Sequence, residues 1–217
     1  MMEMIYADNH LIVVCKPSGL VTEAEEGESL ESQMKQWVKR TYAKPGKVFL
    51  KAAHRLDKPV SGLVLLAKTS KALERLQKAF LQREMKKTYL ALVEGVLPQS
   101  KGRLEHTLTH EEFYAKVSTA PHAKKAILSY QVKKQMEHCA LVEIELETGR
   151  YHQIRCQMAH IGHPVLNDVK YGARPMPHAM LGSIALHHHR MELEHPVSKK
   201  PLRLEKAWDD EAWTHLL

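Results

Sequence analysis

The sequence predicts an α+β fold, and three observations carry that prediction. Two runs, Leu11-Ile12-Val13-Val14-Cys15 and Leu63-Val64-Leu65-Leu66-Ala67, are apolar without interruption, as strands covered on both faces are. A succession of strand-like segments follows at residues 103–109, 113–118, 126–134 and 139–147, with clear alternation from Leu141 to Glu147. Two stretches of helical periodicity are interleaved with the early strands. Strands joined by short turns favour an antiparallel meander. The element count agrees with an α+β class and leaves the topology open.

Each element has a local reason. Ile5 to His10 reads as a strand ending in a turn, and Lys16-Pro17-Ser18-Gly19 forces a second turn after the first buried strand. Residues 23–29 are acidic and read as loop. Leu30, Met34, Trp37 and Val38 recur at helical spacing, so residues 30–42 form an amphipathic helix ended by Pro45-Gly46. Lys35, Lys39 and Arg40 lie on its other side and read first as a solvated face. Val48-Phe49-Leu50 is strand-like and leads into Ala53-His54-Arg55-Leu56-Asp57-Lys58-Pro59-Val60-Ser61-Gly62. Pro59 cannot donate to a sheet ladder and Gly62 allows unusual backbone shapes, so Asp57 belongs on a loop between buried strands. Loops on rigid scaffolds are where chemistry tends to sit.

Thr69-Ser70 caps a second helix with the apolar stripe Ala72, Leu73, Leu76, Phe80 and Leu81. Lys86 to Gly95 is a strand. At Thr148-Gly149-Arg150-Tyr151-His152-Gln153-Ile154-Arg155 a strand ends and a helix begins, with Ile154, Met158 and Ile161 on one face. Gly162 stands where a helix-terminating glycine belongs, with Pro164 beyond it.

The bulk properties bound the function. A chain of 217 residues suits one domain, taken here as residues 1–217, and can bury a real core. Lys and Arg total 32 against 25 Asp and Glu; the net charge of +7 suits a polyanionic partner, and nucleic acid first. The three cysteines, Cys15, Cys139 and Cys156, form no C-x-x-C pair, which argues against a disulfide framework or a zinc site and fits a reducing cytoplasm. The apolar run at Leu11 is too short for a signal peptide, and no stretch is long enough to span a membrane. His152, His160 and His163 lack the spacing and the further ligand of a zinc site; His187-His188-His189, in a strand, cannot all face one ion.

Two long stretches resemble known motifs. Ala53 to Gly62 resembles the H-R-L-D-x-x-T-S-G signature of the RluA family of RNA pseudouridine synthases, with Val60 in place of Thr. Gly149 to Arg155, with Ala159-His160-Ile161-Gly162-His163-Pro164 and Asp168 to Gly172 after it, resembles the family's G-R-T-H-Q-I-R region, with Tyr151 in place of Thr. Lys87-Thr88-Tyr89 resembles its K-x-Y triplet. Lys16-Pro17-Ser18-Gly19-Leu20 is similar to its opening N-K-P-x-G-L, with Cys15 in place of Asn, and Leu186 to Pro196 is similar to its closing L-H-A…H-P, with His188 in place of Ala.

The resemblance implies a single catalytic domain of α+β class, a long, mostly antiparallel mixed sheet flanked by helices with a central RNA-binding cleft. It implies Asp57 as the essential catalytic residue, Arg155 as its cationic partner and Tyr89 as the active-site aromatic that stacks on uracil. It places Arg55, His54, Ile154, Lys87 and His152 at the substrate, with Arg55 filling the space a flipped uridine leaves and Ile154 lining the uracil pocket. The expected activity is isomerisation of uridine to pseudouridine in a stem-loop of rRNA or tRNA. The expected partner is RNA, without membrane, metal or cofactor, and the chain is expected to act as a cytoplasmic monomer. The alternative is a non-catalytic RNA-binding or RNA-chaperone module on the same fold.

Overall fold

The structure, a computed structural model, describes residues 2–43, 45–176, 182–209, 213 and 216. Among these lie eleven strands and three α-helices. The chain divides into two compact units, residues 1–85 with 189–207 and residues 86–188 with 208–217.

The first unit contains β1 (Met4–Ala7), β2 (Leu11–Lys16), α1 (Leu30–Thr41), β3 (Lys51–Ala52), β4 (Ser61–Ala67) and α2 (Ser70–Leu81). The chain returns to it in the latter part of β10 (Leu186–Glu194) and in β11 (Pro201–Glu205). β2 is hydrogen-bonded antiparallel to β1 on one side and to β4 on the other, in register from Leu11↔Ala67 to Lys16↔Gly62. Every residue of β4 is buried, as its unbroken apolar run requires. Leu11, Val13, Leu63 and Leu65 pack with Ala72 and Leu76 of α2 and with Met191, Leu193 and Leu204 of the returning strands.

Local chemistry sets the ends of the helices. The Thr69 side chain accepts the Ala72 N–H at 3.1 Å, capping α2. Ser29 and Ser32 cap α1 reciprocally. Two expectations need correction. Leu81 is not part of the buried stripe of α2 but 83% exposed, because it occupies the last helical position, off the Ala72–Leu76 face. Val48-Phe49-Leu50 is not a strand. Lys51 already pairs with Ala67, the last residue of β4, so residues before it have no strand left to pair with.

The second unit contains β5 (Lys86–Glu94), β6 (Lys101–His110), β7 (Ala115–Val117), β8 (Lys124–Gln135), β9 (Cys139–Leu146), α3 (Gln153–His160) and the first residues of β10. Its strand order runs β5-β9-β8-β6-β7, and each of these pairings is antiparallel. The strands do not form the plain meander expected. β7 matches only three residues of β6, whereas β8 pairs with β6 from Lys101↔Gln131 to Leu108↔Lys124 on the opposite edge. α3 sets Cys156 against Leu108, Ala115 and Ala126. It ends at Gly162, whose φ of +86° is the left-handed conformation expected there. No helix among the described residues is long and apolar enough to cross a membrane.

Candidate active site

In the first unit, the loop carrying Asp57 is fixed by its backbone. The Thr22 hydroxyl accepts the Leu56 N–H at 3.0 Å and donates to the Leu56 carbonyl at 3.0 Å, and this exchange is buried. The Val60 N–H returns to the Asp57 carbonyl at 3.0 Å, closing a turn over Lys58 and Pro59. The turn after β2 grips the same loop from the other side: Gly19 N–H donates to the Lys58 carbonyl at 2.8 Å, and the Ser18 hydroxyl donates to the Pro59 carbonyl at 2.6 Å. Val60, which stands where the resemblance expects Thr, is buried at the start of β4 and packs as a core residue.

Lys16 completes this grip. Its side chain is fully buried, and the ammonium donates to the carbonyls of Pro17 at 3.0 Å, Leu20 at 2.7 Å and Lys58 at 3.3 Å. Burial lowers its pKa to about 8, against the upward pull of the Asp57 carboxylate. The sequence shows Lys16 and Ser18 in a turn and in the stretch similar to N-K-P-x-G-L without giving either a role, and it does not single out Thr22. The available signal was a lysine closing a strand whose other residues are apolar, where a cation must find carbonyl partners.

Asp57 itself is half-buried and Arg55 is exposed. The His54 Nε2 accepts the Leu65 N–H at 3.2 Å, and the ring lies 5.3 Å from Phe80. His54 is therefore a neutral imidazole that ties the loop to β4 and α2.

The second unit gathers Lys87, Tyr89, His152, Ile154 and Arg155. Tyr89 is buried on β5 and stacks on His188, centroids 4.5 Å apart and planes 15° apart. Lys87, two residues earlier, reaches Gly149: a Cβ there would lie 2.9 Å from the ammonium. The K-x-Y triplet and the glycine opening the G-R-Y-H-Q-I-R stretch thus meet. Burial lowers the Lys87 pKa.

The junction into α3 is held by Gln153. Its Oε1 accepts from the Thr148 hydroxyl at 2.8 Å and the Arg150 N–H at 3.0 Å, and its Nε2 donates to the Ile127 carbonyl at 3.0 Å. His152 turns the chain in a left-handed conformation with φ of 50°. Tyr151 stacks flat on His152 at 3.8 Å and meets His110 at 4.1 Å. The Tyr171 hydroxyl accepts the Ala115 N–H at 2.8 Å and lies 2.9 Å from His152 Nδ1. The Tyr171 hydroxyl and His152 Nδ1 thus share one hydrogen bond, which couples the ring to the 168–172 stretch. Burial, with the charges of Arg155 and Lys170, lowers the His152 pKa to about 3, so the ring is neutral.

Arg155 is buried and engages Asp168 with two hydrogen bonds, Nε to Oδ2 at 2.6 Å and Nη2 to Oδ1 at 2.9 Å. Its guanidinium also lies 5.0 Å from the Tyr171 ring centroid. The D-x-x-Y-G stretch therefore supplies both Asp168 and Tyr171 to one arginine. Ile154 beside it is buried. Among the described residues, no group of three His, Cys, Asp or Glu side chains is placed to hold a metal.

The sequence model described as RNA pseudouridylate synthase matches residues 10–160. The chain is 34% identical to the tRNA pseudouridine synthase C of Pectobacterium carotovorum subsp. carotovorum, over 96% of this chain and 60% of that protein. It is 31% identical to the ribosomal large subunit pseudouridine synthase C of Buchnera aphidicola subsp. Schizaphis graminum, over 95% of this chain and 67% of that protein. It is 30% identical to the tRNA pseudouridine synthase C of Yersinia pestis, over 100% of this chain and 90% of that protein. The fold is similar to that of human RNA pseudouridylate synthase domain containing 4, with a TM-score of 0.80 at 22% identity, covering 96% of this chain and 89% of that chain.

Proposed function

The chain belongs to the RNA pseudouridylate synthase family, and on that premise we propose that it isomerises uridine to pseudouridine in a loop of tRNA or ribosomal RNA, with Asp57 as the indispensable group. The observation that carries this reading is the Asp57 loop: Lys16, Ser18, Gly19 and Thr22 all bind its backbone, so the carboxylate is presented from a rigid frame.

The reaction breaks the bond between uracil N1 and ribose C1′ and forms one between uracil C5 and the same carbon. The C5 proton is released and N1 takes one up, so no atom is gained and no cofactor is needed. A hydrolytic glycosidase normally needs a second carboxyl group, because it must activate a water. An isomerase that returns the base to its own sugar needs one ionised carboxylate and a site that keeps water out. Arg155, oriented by Asp168 and Tyr171, is the cation we assign as the partner of the Asp57 carboxylate. Tyr89, ordered by its stack on His188, is assigned to the face of the uracil, and Ile154 to the wall of its pocket. Lys87 and His152 are assigned to substrate binding, His152 as a neutral ring. Exposed Arg55 is suited to filling the stack that the uridine leaves, a step costing a few kcal/mol and cheapest in loops. Three cysteines at scattered positions, in no C-x-x-C pair, fit action in a reducing cytoplasm.

The test is tritium release from RNA carrying uridine labelled at carbon 5, with bulk tRNA and rRNA assayed separately. Release is expected from one pool and is expected to vanish in Asp57→Asn. Release that survives this substitution would overturn the role given to Asp57. Tight binding of both pools without release would return the reading to a non-catalytic RNA-binding module.

A further inference from the structure

The segment from Ser32 to Lys51 carries six Lys or Arg residues (Lys35, Lys39, Arg40, Lys44, Lys47 and Lys51) and no Asp or Glu. The structure sorts these cations into two groups. Lys35 and Lys51 converge on the buried Glu31, at 2.5 Å and 2.9 Å. Burial would raise the Glu31 pKa, but the two lysines and the Ala52 N–H lower it, so this acid stays charged and holds them. Lys39, Arg40 and Lys47 are exposed, and among the described residues no ion pair engages them. Lys44 lies outside the described residues.

Aromatic side chains are interleaved with these cations. Phe49 is 44% exposed and Tyr42 is 47% exposed. Tyr42 is set edge-on to Trp37 with ring centroids 6.0 Å apart, and the Lys68 ammonium lies 5.0 Å from the Tyr42 ring centroid. That ammonium also donates to the Asp8 carbonyl, so Lys68 serves to hold the Tyr42 ring and is set apart from the three exposed cations. Exposed aromatic rings cost solvation that a soluble surface usually avoids, and cations without acidic partners repel one another. A polyanion with planar bases relieves both, because phosphates neutralise the cations and bases stack on the rings.

We propose that the surface formed by Lys39, Arg40, Lys47, Tyr42 and Phe49 is a second RNA contact. It grips the single-stranded or loop-flanking part of the substrate outside the uridine-accepting site. This inference rests on the RNA-modifying reading above. Phe49 stands eight residues before Asp57, a span of at most about 28 Å even for a fully extended chain, so one RNA stem-loop can reach both. The Glu31 bond to the Ala52 N–H, at 3.3 Å, ties α1 to the strand that leads into the Asp57 loop.

The experiment uses the full chain with three exposed substitutions, Lys39→Gln, Arg40→Gln and Lys47→Gln together, and separately Phe49→Ala. Binding to the tRNA and rRNA pools is measured across a salt series, with tritium release on the same RNAs. The triple variant is expected to bind about 10- to 100-fold more weakly at ~0.1 M salt and to lower the slope of log affinity on log salt by about 2. Its KM rises while kcat at saturating RNA stays that of the parent. Phe49→Ala is expected to weaken binding severalfold with the salt slope unchanged. An unchanged melting midpoint in both variants excludes a folding defect, and Lys39→Arg with Lys47→Arg is expected to retain the parent slope.

Parent-like affinity and slope in the triple variant would overturn the proposal. So would an equal loss of binding to polyglutamate, which would mark a surface for acidic polypeptides. A parent that binds RNA without turning it over still tests this surface through the salt slope, while sinking the catalytic reading alone. A parent that binds neither RNA pool removes both.

Discussion

His152 shows how much one residue can commit. Its backbone sits at φ 50°, a conformation that a bulky residue adopts at a cost, and its ring is packed between Tyr151 and Tyr171. The folded pKa of about 3 lies below the value of about 6.5 for an unfolded His. Between these values the unfolded chain binds a proton that the native chain does not, so this residue makes stability fall as pH drops from about 6.5 towards 3, by at most ~1.4 kcal/mol per pH unit. Asn tolerates the left-handed backbone and does not titrate. His152→Asn should therefore flatten the acid limb of the melting temperature against pH, and an unchanged limb would show that the ring is not held neutral. Lys16 works in the opposite range. Its folded pKa of about 8 lies below its ordinary 10.5, so the native chain releases a proton first and stability gains from this group as pH rises from 8 to 10.5. Comparing the parent with Lys16→Met over that interval should show the gain in the parent alone.

At the scale of elements, the loop between β3 and β4 depends on a hydroxyl rather than on its own sequence. Thr22→Val keeps the shape and removes both hydrogen bonds to Leu56, leaving a buried N–H and a buried carbonyl unsatisfied, at about 1–3 kcal/mol each. The expected result is a destabilised chain whose remaining folded fraction has a lower kcat, because Asp57 is no longer fixed. Full kcat in that fraction would show that the loop is held well enough by Ser18 and Gly19. Gly149→Ala is a milder probe: its Cβ must displace the flexible end of Lys87, so the melting midpoint should hold while turnover falls.

The same elements show what sequence could reveal. β2, β4, α1 and α2 were legible because apolar runs and helical stripes with Ser or Thr caps report local preferences. Asp57, Tyr89 and Arg155 stood out only through motif resemblance. Thr22 and the pairing of Arg155 with Asp168 were invisible because they are contacts between residues distant in the chain, and the same is true of β8 returning to the far edge of β6.

At the scale of the whole molecule, the chain leaves its first unit at Met85 and re-enters it at His189. The first unit's core is therefore not complete in residues 1–85: Met191, Leu193 and Leu204 are buried in it with Leu11, Leu63 and Leu76. Burial of three such side chains is worth about 1.5–3 kcal/mol each, roughly 5–9 together, against a typical total stability of about 5–15. The returning segment also supplies the antiparallel pairing from Arg190↔Glu205 to Glu194↔Pro201. The buried His195 Nε2 donates to the Asp8 carboxylate at 2.8 Å, while its Nδ1 accepts the Val197 and Ser198 N–H groups. Residues 1–85 expressed alone should therefore lack a cooperative thermal transition. The same residues joined by a short flexible linker to 189–207 should regain one, measured by circular dichroism and by dispersion of the amide NMR spectrum. Met191→Ala within the joined fragment should lower the midpoint again. A cooperative transition in 1–85 alone would mean that the β1-β2-β4 sheet and its two helices suffice, and that the returning strands add to this unit without completing it.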